Sequence, residues 1–233
     1  LARLFDEDEQ LAQEAFEIGQ HHGIGSAQGI FGIHMFTFRR EQGRLREIAP
    51  VVQHFLCEQG HGAAWQPGLA LIYSDLGRAD DARTEFERLA ANDFAAVPRD
   101  ALWQTCLAYL AEVCATLGDE ERAARLYELM LPYAELNVLV GLDFYLGASG
   151  RYLGQLAAVG SRWEVAEAHF EHALRLDERT GATPWLAHSR YQYGRMLRLR
   201  GRPEDRERSE ALIGQALATA GALGMHGLAG RIE

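Results

Sequence analysis

Residues 64–88 most constrain what this chain can fold into. They read A-W-Q-P-G-L-A-L-I-Y-S-D-L-G-R-A-D-D-A-R-T-E-F-E-R. The pattern predicts two amphipathic helices that meet at Gly77. On the first, Leu69, Ala70 and Tyr73 fall at i, i+1 and i+4, one apolar stripe. On the second, Ala82 and Phe86 fall at i and i+4. Ala70 and Ala82 carry so little side chain that two helices can cross closely there. Tyr73 and Phe86 then fill the space beside the crossing.

The unit recurs. Leu110, Ala111 and Cys114 lead to Gly118, then to Ala123 and Tyr127. Leu153, Gly154 and Ala157 lead to Ser161, then to Ala166 and Phe170. The small residues stand twelve apart each time, at 70 and 82, 111 and 123, 154 and 166. Tyr193, Gly194 and Leu197 open a fourth copy that turns at Gly201, with a displaced second helix in which Ser209 and Ile213 take the packing places. A weaker copy turns at Gly43, with Phe36 where the small residue belongs. This is the spacing of the tetratricopeptide repeat, and three copies with one internal spacing predict an all-α, tetratricopeptide-like solenoid of antiparallel helix pairs. Residues 1–233 read as a single array, with no one central core.

A hydrophobic share of 48% is ample for burial, and a net charge of −10 argues against a nucleic-acid surface, which is normally basic. No apolar run reaches the length of a membrane span, and no signal peptide is visible, so a cytoplasmic location is expected. The chain opens on Leu1 and reads as a fragment of a longer protein. Cys57, Cys106 and Cys114 suit reduced thiols buried as small apolar residues. All 23 basic residues are arginine. With no lysine, the chain holds no P-loop, Schiff-base or kinase-type lysine.

Along the chain, helices are expected near 6–22, 26–42, 45–59 and 101–117, and from Glu120 to near Pro132. Others are expected near 144–159, 163–179, 184–200 and 205–222, with residues 225–233 beginning a further segment. The first helix has acids in its first turn and His21-His22 in its last, as the macrodipole favours. It reads as the second helix of a repeat, with Asp8 at the small position. Residues 92–100 read as a loop, with Asp100 capping the helix that follows. Residues 135–143 read as a longer connection, and L-N-V-L-V within it as too short for a strand. These insertions explain why Gly77, Gly118 and Gly201 stand 41 and then 83 residues apart.

From about Phe31 to Ile232 the chain resembles the C-terminal helical-repeat region of large bacterial multidomain regulators. Those proteins join a nucleotide cyclase or LuxR-type DNA-binding domain to a P-loop ATPase module and then to tetratricopeptide-like repeats. The phrases that carry the resemblance are F-R-R-E-Q-G-R-L, L-G-R-A-D-D-A-R-T-E-F-E-R-L-A-A-N-D-F-A-A-V-P-R-D, L-Y-E-L-M-L-P-Y-A, N-V-L-V-G and G-M-H-G-L-A-G-R-I-E. Asp8, Phe36 and the Gly160-Ser161 turn depart from the pattern. The resemblance implies a non-enzymatic interaction or sensor region, since the family's catalytic and nucleotide-binding motifs lie elsewhere. The alternative is a free-standing adaptor that scaffolds a complex.

Chemistry-bearing residues are sparse. His169 and His172, at i and i+3, with His188 on the next helix, form the sharpest metal candidate, yet a closed site needs three or four convergent ligands. Since Phe170 and Ala173 are packing residues, the two histidines are expected on an exposed flank. Asp80-Asp81 and Asp119-Glu120 follow turn glycines, where acids stabilise helix N-termini. No nucleophile elbow or phosphate-cradling glycine loop is present. No catalytic, metal or cofactor residues are therefore expected.

The first helices of such repeats line the concave side. Register places Ser74, Asp75, Thr105 and Glu112 inward, then Arg151 and Gln155, then His188, Tyr191, Arg195 and Arg198. The expected partner-binding set is Arg151, Gln155, His188, Tyr191, Arg195 and Arg198, on a groove running from acidic to basic. Guanidinium groups around a tyrosine suit a carboxylate or phosphate beside an aromatic ring, so a protein, a peptide or a small anionic effector is the expected partner. No nucleic acid and no membrane are expected, and a homodimer is compatible.

Overall fold

The computed structural model describes residues 3–50, 52, 65–140 and 144–233, and it is all-α apart from one hairpin. Helices α1 (Arg3–His21) and α2 (Ala27–Glu41) lead to α3, helical over 45–50. Val52 is helical too, while 51 and 53–59, Cys57 among them, lie outside the described residues. Then come α4 (Gln66–Asp75), α5 (Ala79–Phe94), α6 (Trp103–Leu117) and α7 (Glu120–Met130), which ends in a 3-10 turn at Leu131–Tyr133. After the hairpin follow α8 (Ser149–Val159), α9 (Trp163–Arg179), α10 (Thr183–Arg200), α11 (Asp205–Leu223) and α12 (His226–Ile232).

Two expectations are corrected between α7 and α8. The L-N-V-L-V run does form a strand: β1 (Asn137–Val140) pairs antiparallel with β2 (Phe144–Ala148). The helix expected from 144 therefore begins only at Ser149. Asp177 of α9 explains the change. Fully buried, it accepts hydrogen bonds from the Tyr145 hydroxyl at 2.9 Å, the Ala148 backbone N–H at 3.1 Å and the Ser189 hydroxyl at 2.7 Å. Thr105 of α6 donates to the Leu139 carbonyl at 2.8 Å. A short hairpin that is marginal alone thus gains partners from α9 and α6, with Ser189 of α10 holding Asp177 in place.

The loop placed at 92–100 begins slightly earlier. Ala91 leaves the helical region at ψ 140°, and Asn92 and Asp93 take positive φ. Asp100 does not cap the helix: α6 begins two residues late, at Trp103, with Leu102 at its N-cap and no side-chain cap bond, and Asp100 instead accepts from the Leu102 N–H at 2.9 Å in the turn before it. At the turns, Gly118 is left-handed at φ 68° and its N–H reaches the Cys114 carbonyl at 2.9 Å. Ser161 takes the same region at φ 54°. A side chain there costs more than glycine does.

The small positions are where helices meet. Ala70, Ala82, Ala111, Ala123 and Ala166 are all fully buried. A Cβ on Gly154 would stand 2.8 Å from the Phe170 ring, and one on Gly194 2.6 Å from Ile213 Cγ1. The Ser209 hydroxyl donates to the Gly194 carbonyl at 2.8 Å, so the displaced α11 still uses its serine at the crossing. Among the described residues one large apolar cluster runs from Phe36 to Trp185, and smaller ones gather around Phe170 and Tyr193, around Ala187 and Leu228, and at Ala148, Ala173 and Leu176. Within pairs, α4 packs on α5, α8 on α9 and α10 on α11, while α4, α6, α8 and α10 touch in chain order.

Replacing Ala82, Ala111 or Ala123 with leucine should cost about 1–3 kcal/mol through overpacking. Ala168→Leu, on the exposed face of α9, should stay within about 0.5 kcal/mol. Urea unfolding measures both. Equal midpoints for the four variants would show that the crossings are not where the register puts them.

Candidate functional site

The faces of α4, α6, α8 and α10 that register turns together are covered by side chains of this chain. Arg40, near the end of α2, places its guanidinium Nε 2.6 Å from Asp75 Oδ2 on α4 and grips Glu112 on α6 through both terminal nitrogens. Arg151 of α8 lies 3.9 Å from the same Glu112. Next to Arg40, Glu41 holds His188 Nε2 of α10 at 3.0 and 3.1 Å. Arg231 of α12 closes the set on Asp75 at 3.1 Å. Three guanidiniums thus face three carboxylates around one imidazole, so the assembly balances its own charge.

Burial makes that balance necessary. Arg40 is 5% exposed, Glu41 4%, Arg151 1% and His188 3%. Burial alone would raise the carboxyl pKa values, but His188, Arg231 and Arg40 hold Glu41 down at about 2. Arg40 and Arg151 do the same for Glu112, also at about 2, against its burial. Burial lowers His188 below the ordinary imidazole value, although Glu41 pulls the other way. His188 is therefore a neutral donor to an ionised Glu41 at neutral pH. Arg151 also donates to the Leu146 carbonyl at 2.7 Å and faces the Trp185 ring at 5.3 Å, tying the hairpin to the cluster.

Closure comes from the two ends of the described chain. A Cβ on Gly227 of α12 would stand 2.1 Å from the Arg40 carbonyl oxygen, so α12 meets α2 backbone to backbone. The Tyr191 hydroxyl donates to the Arg231 carbonyl at 2.7 Å.

The six residues expected on one groove are therefore divided. Arg151 and His188 belong to the buried charge cluster, and Tyr191 is buried against α12. Arg198 is exposed and lines a separate recess with Pro203 and Arg206. Only Gln155 and Arg195 share an open cleft, of about 360 Å³, with Glu120, Ser161, Trp163 and Leu199 on its walls. Among the described residues no continuous acidic-to-basic groove forms, because Asp75, Glu112 and Glu41 pair with Arg40, Arg151, Arg231 and His188. Arg40, Glu41 and Arg231 went unselected. Register held a signal for the first two: Arg40 and Glu41 stand as far before Gly43 as the inward Ser74 and Asp75 stand before Gly77.

His169 and His172 are half-buried instead of exposed. His169 bonds the Tyr127 hydroxyl at 2.9 Å, and His172 lies 3.5 Å from Glu135. Among the described residues no group of three or more His, Cys, Asp or Glu is placed to hold a metal. Cys106 and Cys114 are buried, which pushes both thiols up to about 12 and keeps them protonated at neutral pH. Among the described residues no helix is long and apolar enough to cross a membrane.

Comparison with protein-family profiles, with curated proteins and with solved structures finds no match to this chain.

Proposed function

We propose that this chain is a tetratricopeptide-like solenoid acting as a non-enzymatic interaction or sensor region of a bacterial signalling or transcriptional regulator. It holds a partner or a small effector on its inner face and biases the activity of modules elsewhere in the parent protein. The observation that carries this reading is the repeated helix crossing at equal spacing, with an inner face that gathers the charged side chains of successive repeats. The open cleft beside Gln155 and Arg195 is the part of that face left for a ligand. The resemblance to multidomain regulators supports the signalling role. The second reading, a free-standing adaptor, draws on the same inner face.

The neighbouring reading frame separates the two. A P-loop module with a cyclase or helix-turn-helix module in the same polypeptide supports the regulator. An open reading frame without them leaves the adaptor. In the regulator, the double change Arg195→Glu and Arg198→Glu should alter output activity while the melting temperature stays nearly unchanged, since both side chains are exposed. Unaltered output would overturn the assignment of the binding face. The isolated chain should neither hydrolyse ATP nor form a cyclic nucleotide. Turnover abolished by a point change within residues 1–233 would refute the non-enzymatic reading.

A further inference from the structure

The cleft between the ends of α8 and α10 holds polar groups that the fold itself leaves unused. Gln155 is only 6% exposed, yet its side-chain amide nitrogen has no hydrogen-bond partner. A buried polar group without a protein partner costs stability unless a bound molecule, water or ligand, supplies one. Arg195 lines the same cleft. Its guanidinium reaches only the Gln192 amide oxygen at 3.2 Å and the face of Tyr191 at 5.6 Å. Its neighbours on α10 differ: Arg190 pairs with Glu178, and Arg200 with Glu167 and Asp205. Among the described residues Arg195 has no carboxylate partner. Glu120, also lining the cleft, likewise has no ion pair among the described residues.

Two further features belong to the same cleft. Ser161 occupies the left-handed turn position that glycine fills in the copies turning at Gly77, Gly118 and Gly201, so a hydroxyl stands at the rim. Half-buried Trp163 and Leu199, itself 69% exposed, supply the apolar surface. At about 360 Å³ the cleft falls within the size range of small-molecule sites.

We propose that this cleft binds a small zwitterion with an apolar body, of the chemical class of an apolar α-amino acid. Arg195 receives the carboxylate, with the Gln155 amide and the Ser161 hydroxyl as further donors. Glu120 receives the ammonium group. Trp163 and Leu199 cover the side chain. A ligand bearing only an anion would leave Glu120 in the cleft unpaired, and one bearing only a cation would leave Arg195 so. The inference rests on the reading of the inner face as a binding surface and names its ligand class.

The test is calorimetric titration of the whole chain with L-phenylalanine, phenylacetate and phenethylamine, which share a ring and differ in charged groups. L-Phenylalanine should bind at one site, and the other two at least about tenfold more weakly, each lacking one charge-assisted bond. Arg195→Ala should weaken L-phenylalanine about tenfold or more. Glu120→Gln should bring L-phenylalanine down to the level of phenylacetate. Both residues are exposed, and unchanged melting curves establish that the variants fold. Phenylacetate binding as tightly as L-phenylalanine would overturn the zwitterion while leaving an anion-binding inner face intact. No binding of any of the three, or binding indifferent to both substitutions, would overturn the site, without touching the proposed regulator, which stands or falls on the reading frame and output activity.

Discussion

Arg40→Met should destabilise the chain by about 3–5 kcal/mol, the range for breaking a buried charge cluster by removing one member. Methionine keeps the unbranched stem and removes the guanidinium that bridges Asp75 and Glu112. Among the described residues Asp75 then keeps Arg231 alone, at 3.1 Å, and Glu112 keeps Arg151 alone, at 3.9 Å. The penalty reflects carboxylates left without compensation more than the worth of the pair itself. Adding Glu112→Gln to Arg40→Met should therefore recover part of the loss, with a coupling of about 1–3 kcal/mol between the two sites. Urea unfolding near pH 7 measures every arm of the cycle. If Arg40→Met lies within about 1 kcal/mol of the parent, or the two losses simply add, the cluster is solvated and the inner face is open.

The repeat packing was legible because it is local. Ala70 and Ala82, or Gly154 and Ala166, lie within one helix pair, and their spacing is written directly in the chain. The hairpin was harder. The hairpin that takes in L-N-V-L-V is held by Thr105, 34 residues before Leu139, and by Asp177, which bonds the facing strand from 32 residues after Tyr145 and 29 after Ala148. No window of sequence joins them. The site was legible in part. Register turned Asp75, Glu112, Arg151 and His188 inward, and all four do meet around one buried cluster. What register omits is closure: α12 reaching α2 brings Arg231 to Asp75 across 156 residues. That contact depends on how far each helix pair rotates from the last, a sum of small packing angles that no single residue encodes. It converted an expected groove into a filled interior and left Gln155 and Arg195 as its open remainder.

A filled interior of this kind should make the fold sensitive to acid. Glu41 and Glu112 sit at about 2 in the folded chain, against 4.5 ordinarily, so the folded state binds fewer protons than the unfolded state. Their contribution is fully present above about pH 5 and is lost as pH falls toward 2. His188 acts in the same direction. Its folded value lies below 6.5, so the unfolded chain takes up a proton that the folded chain resists, and stability begins to fall once pH drops below about 6.5. By linkage each of the two carboxylates accounts for about 3 kcal/mol between neutral pH and complete protonation. Protonation also leaves Arg40, Arg151 and Arg231 in the interior with fewer opposing charges, which sharpens the transition. The urea midpoint should decline gently from pH 7 to 5 and steeply below. Glu41→Gln with Glu112→Gln should start lower at pH 7 and then lose less on acidification, because the groups that titrate are gone. A midpoint level from pH 7 down to 4, or an acid limb unchanged in the double variant, would mean that these carboxylates are hydrated and that the interior does not hold them as ions.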